Sequence, residues 1–255
     1  EQVWPPVSAT VLFSDVHLKS GPGARPVRDQ FVRFLHSLRG LRCERAVCLG
    51  DLFDFWFEYR HVCFSDYYAV LRAFSDLRDD GVELHLVCGN HDFWAGRFLR
   101  DEIGFQIHPD AVEMDLDGRR ALLYHGDGVN PADRAYRVYR RIARNPFVVG
   151  TFRLLHPDWA MALARKVSHG SRSLTRVGDP AAGPEAHALR EHARALLEAG
   201  RADLVACGHS HAAALERFPL PGGGEGLYVN PGDWMRRKTY VFCAGGNVEM
   251  RTWED

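Results

Sequence analysis

The order of apolar and polar positions along the chain predicts alternating strands and helices in its first half. Short apolar runs, typical of buried strands, occupy 9–14, 44–50 and 82–89. Between them, apolar side chains recur at helical spacing over 29–40 and 65–81, and Ser65 is a candidate N-cap of the second helix. This alternation predicts an α/β fold.

The second half of the chain is helical at first and then rich in strands. Two strand-like runs, 111–116 and 119–125, flank Asp117-Gly118, which is a strong hairpin turn signal. A helical pattern follows from about 132 to 200, with a loop expected at 178–184. Strand patterns return at 202–208, 214–218, 226–230, 239–243 and 248–253, and the last two read as a hairpin. We therefore predict a layered sandwich with mixed sheets, whose core is 1–131 and 177–255 and whose inserted helical cap is 132–176.

Five of the predicted strands end directly at polar groups. The groups that follow the apolar runs are Asp15-Val16-His17, Asp51 with Asp54, Asn90-His91-Asp92, His125-Gly126-Asp127 and His209-Ser210-His211. The α/β proteins place their sites at the carboxyl ends of strands. One Asp-x-His or His-x-His pair is common by chance, and polar turns at strand ends are ordinary, but five such ends in one chain indicate a site.

The residue types in this set indicate a metal centre. Its seven candidate ligands are two aspartates, one asparagine and four histidines: Asp15, Asp51, Asn90, His17, His125, His209 and His211. A nitrogen and oxygen set without thiolates suits Mn²⁺, Fe²⁺, Zn²⁺ or Mg²⁺. Seven ligands are too many for one open catalytic ion, whereas two ions that share a carboxylate can activate water and hold a phosphoryl group. The sequence therefore predicts a phosphoester hydrolase.

Charge and cysteine usage concern the partners and the compartment. From Arg134 to Arg176 there are ten basic residues and one acidic residue, so this segment carries about +9 and, with a net charge of −1, the remainder about −10. Such a segment suits an anionic partner, namely phosphate, nucleic acid or an acidic membrane, although solvated helix faces are the usual explanation. The six cysteines show no metal-binding or disulfide spacing, which favours free thiols in the cytoplasm. No apolar run is long enough to span a bilayer.

The strand-end motifs also resemble a known family. D-x-H (15–17), G-D (50–51), G-N-H-D (89–92), H-G-D (125–127) and G-H-S-H (208–211), in this order, resemble the calcineurin-like metallophosphoesterases. The resemblance implies an αββα sandwich and two divalent metal ions, which we expect to be Mn²⁺. It assigns Asp15, His17, Asp51 and His211 to one ion and Asp51, Asn90, His125 and His209 to the other. It also implies that His91 is catalytic and faces the substrate phosphate, and that Asp92 orients His91.

Further motifs are similar to one branch of that family. GDLFDFW (50–56), HGD-x5-D-x2-Y (125–136), RNP (144–146) and GDW (232–234) resemble the branch that hydrolyses UDP-2,3-diacylglucosamine in lipid A biosynthesis. This implies cleavage of a lipid-linked nucleotide sugar to UMP and 2,3-diacylglucosamine 1-phosphate, under a helical cap. An anionic inner-membrane surface is then an expected partner, with peripheral attachment, and neither nucleic acid nor a protein partner is expected. The substrate contacts expected from the match are His91, Asp133, Tyr136, Arg165 and Ser168.

Three alternatives stay open at this point. Many members of that branch carry Arg where this chain has His91, and an alkoxide leaving group needs a proton more than a phosphate leaving group does. A phosphomonoesterase or phosphodiesterase is therefore the second hypothesis. The basic segment makes nucleic-acid hydrolysis a third hypothesis. A scaffold without activity is disfavoured because every expected ligand is present.

Overall fold

Two mixed β-sheets form the centre of the protein. The computed structural model describes residues 9–132, 134–163, 181 and 183–255. The strands of the first sheet are β1 (Ala9–Phe13), β2 (Cys43–Cys48), β3 (Glu83–Val87), β4 (Phe105–His108), β10 (Thr239–Ala244) and β11 (Asn247–Thr252). Those of the second sheet are β5 (Val112–Leu116), β6 (Arg119–Tyr124), β7 (Leu204–Cys207), β8 (Ala214–Pro219) and β9 (Glu225–Asn230).

Each sheet has a parallel centre. In the first sheet, whose order is β11-β10-β1-β2-β3-β4, strands β1 to β4 are parallel, and β10 and β11 extend the sheet as an antiparallel hairpin. In the second sheet, whose order is β5-β6-β7-β9-β8, strands β6, β7 and β9 are parallel and the two edge strands are antiparallel. The carboxyl ends of the parallel strands within each sheet therefore lie at one edge.

Helices cover the outer faces of both sheets. In chain order, the helices are α1 (Arg25–Gly40), α2 (Tyr68–Asp79), α3 (Arg134–Ala143), α4 (Pro146–Phe152) and α5 (Pro184–Glu198), with further helical residues at 157–163. Leu12, Val47 and Leu123 belong to the apolar layer between the sheets. Phe31 and Phe74, from α1 and α2, pack on the first sheet, and Leu189 of α5 packs on the second. The predicted αββα sandwich is confirmed.

The structure can be compared with the predicted hairpin, helix cap, strands and inserted segment. The hairpin at Asp117-Gly118 is confirmed, since both residues have positive φ between the paired strands β5 and β6. The expectation that Ser65 caps the second helix is wrong, because Ser65 starts a short 3-10 turn and Tyr67 is the N-cap, with no side-chain hydrogen bond. Strand β4 was not predicted. The separation of a cap over 132–176 stays a prediction, since residues 164–180 lie outside the described residues.

Two further observations concern the cysteines and the helices. All six cysteines are unpaired, and five of them are buried. Within the part of the chain that the structure describes, each helix is too short or too polar to cross a membrane.

Candidate metal centre

The five motif-bearing strand ends converge on one site. Strands β1, β2 and β3 lead to it from the first sheet, and β6 and β7 lead to it from the second sheet. The loops are joined across the site by backbone and side-chain hydrogen bonds. For example, the backbone N–H of Asp15 donates to the carbonyl of Gly50 over 3.0 Å, and that of Gly208 donates to the carbonyl of His125 over 2.9 Å. All seven predicted ligands lie in this cluster.

One group of side chains surrounds Asp15. The Nε2 atom of His211 lies 3.5 Å from Oδ1 of Asp15 and 3.3 Å from Nε2 of His17. The same His17 nitrogen lies 3.8 Å from Oδ1 of Asp15 and 3.6 Å from Oδ2 of Asp51. Atoms this close, all of them ligand types, can converge on a single cation. This is the first of the two predicted ligand sets.

The second group shares Asp51 with the first. Oδ2 of Asp51 lies 3.5 Å from Nε2 of His125. Oδ1 of Asn90 lies 3.2 Å from the same His125 nitrogen and 3.2 Å from Nδ1 of His209. The Asp51 carboxylate therefore lies between the two groups, where a bridging ligand has to be.

The backbone at the ligands is unusual. Eight described residues other than glycine have positive φ, and five of them are predicted ligands, with φ between 46° and 66°: Asp15, His17, Asp51, His209 and His211. This left-handed region disfavours residues with a Cβ, by roughly 1–2 kcal/mol each. Strain of this kind clusters at functional sites, where it aims side chains that a relaxed backbone would point elsewhere.

Three motif glycines leave room for the ligands. A Cβ on Gly50 would collide with the ring of His125, one on Gly89 with the carboxylate of Asp51, and one on Gly208 with that of Asp15. Each glycine immediately precedes or faces a predicted ligand. The Gly in G-D, G-N-H-D and G-H-S-H is therefore required by the space that the ligands fill.

The pKa shifts of the buried groups show that the Asp51 carboxylate attracts positive charge. Burial alone would raise the pKa of Asp51, but His125, His91 and His17 surround it and hold its pKa well below the usual value. Burial likewise opposes the charged form of His125, yet Asp51 raises the pKa of that imidazole well above its ordinary value. Burial together with the nearby His125 lowers the pKa of His209, which keeps it neutral and able to ligate. Divalent cations can supply the charge that a proton on His125 otherwise supplies.

The residues present fit two divalent ions. Oδ1 of Asp15 is buried and has no hydrogen-bond partner among the described residues, although a buried carboxylate oxygen normally has one. His125 donates from Nδ1 to the carbonyl of Leu49 over 2.7 Å, so Nε2 is the ring nitrogen that faces Asp51 and Asn90 and would bind an ion in place of a proton. Such a bond to the second ring nitrogen is typical of metal-binding histidines.

His91 lies at the rim of the centre, beside the ligands. Its side chain is 20% exposed, its Nε2 lies 3.9 Å from Oδ2 of Asp51, and its backbone N–H donates to Oδ1 of Asp51 over 2.9 Å. Its Nδ1 lies 2.8 Å from the carbonyl oxygen of Asp54. A carbonyl only accepts, so Nδ1 carries the proton, and Nε2 is the ring nitrogen that faces the Asp51 carboxylate.

Asp92 lies between two loops of the site. It is fully buried, and its carboxylate accepts backbone hydrogen bonds from Leu52 over 2.8 Å and from Gly89 over 2.7 Å. Burial and the neighbouring Asp51 raise its pKa to about 6. In this structure the Asp54 carbonyl contacts the His91 ring and Asp92 joins the two loops, and the role of Asp92 in orienting His91 stays a prediction.

The predicted substrate contacts are only partly described. Tyr136 on α3 donates its hydroxyl to Oδ2 of Asp127 over 2.7 Å, and Nε of Arg140 lies 3.2 Å from the same oxygen. The Tyr136 ring centroid is 6.4 Å from that of His209, which places α3 beside the metal centre. The expected contacts Asp133, Arg165 and Ser168 lie outside the described residues.

Two residues that are not among the seven predicted ligands also belong to the site. Asp54 holds His91 through its carbonyl, and its Oδ1 lies 3.9 Å from Nδ1 of His17. Asp233 is buried, with Oδ2 3.6 Å from Nδ1 of His211. A signal for Asp233 was present in the sequence, since Pro231-Gly232-Asp233 follows the strand-like run 226–230 as the other motifs follow theirs.

The fold and this site define a class of protein, and comparison with known proteins agrees. The calcineurin-like phosphoesterase family model matches residues 9–213. The chain belongs to this family, as its motifs predicted, and the prediction of a metal-dependent hydrolase is confirmed.

Particular relatives match nearly the whole chain. A UDP-2,3-diacylglucosamine hydrolase from Porphyromonas gingivalis is 30% identical, covering 95% of this chain and 96% of its own. Proteins of the same name from Nitrosococcus oceani and Pseudomonas paraeruginosa are each 32% identical, covering 92% and 89% of this chain and 91% and 92% of theirs. A dimetal phosphatase structure from Danio rerio aligns with 98% of this chain and all of its own at 14% identity, with a TM-score of 0.48.

Proposed function

We propose that this chain hydrolyses UDP-2,3-diacylglucosamine to UMP and 2,3-diacylglucosamine 1-phosphate. The observation that carries the proposal is the similarity to hydrolases of that name over both the motif-bearing core and the segment that contains α3 and α4. The site supports it, because the seven ligand side chains converge beside a residue, His91, that can meet a phosphoryl group.

The centre would hold two divalent ions, which we expect to be Mn²⁺. Asp15, His17, Asp51 and His211 would hold one ion, and Asp51, Asn90, His125 and His209 the other. When bound, such a pair activates a water molecule and neutralises charge on the phosphoryl oxygens. The protein contributes the fixed orientation of the ligands, through the positive-φ backbone and through the Leu49 carbonyl at His125.

His91 would act on the substrate directly. Its Nδ1 proton is held by the Asp54 carbonyl, so the ring meets the substrate with Nε2. A neutral ring presents a lone pair there, whereas a protonated ring presents an N–H that can stabilise the phosphoryl charge or protonate a leaving oxygen. We infer that the protonated ring is the catalytic form.

The same histidine favours a second candidate, hydrolysis of a phosphomonoester or phosphodiester. An N–H at Nε2 can donate its proton to an alkoxide leaving group, which a diphosphate substrate does not require. Binding energy from the acyl chains and the nucleotide would separate the two functions, since only the first substrate carries both groups.

Cleavage of the lipid substrate in ¹⁸O-labelled water tests the proposed function. Mn²⁺-loaded protein should release UMP that carries the label, since we expect attack on the phosphorus next to uridine. Replacing Asp133 and Tyr136 together by Ala should strongly reduce this reaction and hardly change hydrolysis of a small aryl phosphodiester. Label in the sugar phosphate would contradict the regiochemistry. No cleavage by a protein that hydrolyses the aryl diester would favour the second candidate.

We also propose that residues 134–163, which we call the α3–α4 segment, lie on an anionic membrane surface, where a diacyl substrate resides. Exposed large apolar side chains are concentrated there: Val138, Tyr139, Ile142, Phe147, Leu154, Trp159 and Leu163. Arg137, Arg141 and Arg153 are exposed in the same segment. Aromatic and basic side chains together are the composition that interfacial segments use.

Vesicle binding tests the membrane proposal. Phe147→Ser combined with Trp159→Ser should reduce sedimentation with phosphatidylglycerol vesicles, since these two rings are 79% and 72% exposed. Tyr68→Ser is the matched control, because Tyr68 is 66% exposed on a helix outside this segment. Equal sedimentation of the two variants would refute the assigned surface.

A further inference from the structure

A sixth strand end meets the metal centre. Strand β9 runs parallel to β7, and its carboxyl end continues into residues 230–234, which we call the NPGDW loop and which are buried throughout. Ser14 donates its hydroxyl to the carbonyl of Gly232 over 3.0 Å, and the Asn230 amide donates to the carbonyl of Gly208 over 2.9 Å. The loop therefore joins the D-x-H and G-H-S-H motifs, one from each sheet.

Asp233 presents its carboxylate to one ligand of this centre. The side chain is buried, and its Oδ1 accepts from the backbone N–H of Arg236 over 2.8 Å, which fixes the carboxylate plane. Its Oδ2 lies 3.6 Å from Nδ1 of His211, while Nε2 of His211 lies 3.5 Å from Oδ1 of Asp15. The two ring nitrogens of His211 thus face two different carboxylates.

We propose that Asp233 is the positioning residue for His211. Its carboxylate keeps the imidazole proton on Nδ1, so that the Nε2 lone pair is directed at the ion that Asp15 and His17 would share. A carboxylate behind a histidine fixes the ring and makes it a stronger ligand. The inference rests on the proposed ligand role of His211, which belongs to the function proposed above.

The other ligand set offers an internal comparison. Nδ1 of His125 donates to the carbonyl of Leu49, a neutral acceptor, whereas Nδ1 of His211 faces a charged carboxylate oxygen at 3.6 Å. Loss of Asp233 should therefore weaken the binding of one ion and leave the binding of the other unchanged. A general structural role would instead change the melting temperature without discriminating between the two ions.

Titration of Mn²⁺ into the metal-free protein tests this assignment. Asp233→Asn keeps the size of the side chain and an acceptor for the Arg236 N–H. We expect one of the two dissociation constants to rise about 10- to 100-fold and the other to stay within about twofold. Asp203→Asn is the control, because Asp203 is a partly exposed carboxylate paired with Arg120 at the amino-terminal end of β7, opposite the end that leads to the site. Both ions should bind to this variant as they bind to wild type. Unchanged affinities in Asp233→Asn would overturn the proposal.

A second measurement needs no variant. In metal-free wild-type protein labelled with ¹⁵N-histidine, neutral His211 should carry its proton on Nδ1, which nitrogen chemical shifts report. A proton on Nε2 would overturn the proposal even if Asp233→Asn failed to fold. Wild-type protein that binds no Mn²⁺ at all would instead overturn the metal centre, and the role of Asp233 with it. The two failures are therefore distinguishable.

Discussion

Gly89→Ala should inactivate the protein without removing a single ligand. Gly89 does not have positive φ, so its backbone conformation accepts alanine. The obstacle is space, since a Cβ there would lie 2.7 Å from the backbone nitrogen and 3.0 Å from Cγ of Asp51. The nearest atom would be Oδ1 of Asp51, closer than either of these, and ordinary contacts are at least about 3.4 Å, so the Asp51 carboxylate has to move by about 1 Å.

The expected magnitude follows from the position of Asp51. Overpacking of this kind costs about 1–3 kcal/mol of folding free energy, which a protein of this size can tolerate. The site is more sensitive, because Asp51 lies between both ligand sets and its movement changes the coordination of both ions. Misplacement of catalytic groups by roughly 1 Å lowers turnover about 10²-fold, and we expect a loss of at least that size.

Metal analysis, turnover and thermal melting together test this expectation. Gly89→Ala should contain fewer than two ions per chain after gel filtration while still unfolding cooperatively. Gly150→Ala is the matched control, because a Cβ on this helical glycine would meet nothing within 4 Å and should leave metal content and turnover unchanged. Two tightly bound ions and wild-type turnover in Gly89→Ala would refute the assignment of Asp51 as the bridge.

Three further changes test other parts of the structure. Asp51→Ala should lose both ions and His17→Ala should weaken one, as elemental analysis can show; two retained ions in Asp51→Ala would contradict the bridge. His91→Ala should lower turnover by about 10²- to 10⁴-fold with metal content unchanged, and an empty site would instead make His91 a ligand. Burial and the adjacent His108 lower the pKa of His85 from 6.5 to about 4. As the pH falls, the unfolded chain therefore takes up this proton before the folded chain does. The free energy of unfolding then decreases as the pH drops from about 6.5 towards 4. Urea unfolding at pH 7 and pH 5 should differ by on the order of 2 kcal/mol through this group, and His85→Gln should show a smaller difference; an equal difference would exclude His85 as the cause.

Sequence periodicity predicted the fold class and placed the candidate ligands at the ends of strands. These candidates lie close together because each follows an apolar strand and parallel strands bring their carboxyl ends together. Strand β4 escaped prediction because its four residues, Phe105–His108, are too few to show an alternation. Ser65 failed as a cap because a 3-10 turn precedes α2 and shifts its start to Tyr67.

The roles of Asp92 and Asp233 depend on contacts that no local pattern contains. Asp92 follows His91 directly, which suggested a partnership, yet its carboxylate turns to backbone N–H groups on two loops. Asp233 is 22 residues from His211 in the sequence, and the parallel pairing of β9 with β7 brings the loops that follow these two strands together. Tertiary contacts between distant segments decide both roles.

The left-handed backbone at five ligand residues has a consequence for protein engineering. At Asp15, His17, Asp51, His209 and His211, replacement by glycine would relieve the unfavourable φ, and it raises the stability of the metal-free chain wherever that strain exceeds the contribution of the lost side-chain contacts. Each such replacement removes a ligand. Selection for heat resistance in the absence of metal would therefore favour inactive variants, and consensus or directed-evolution libraries for this protein should keep these five positions fixed.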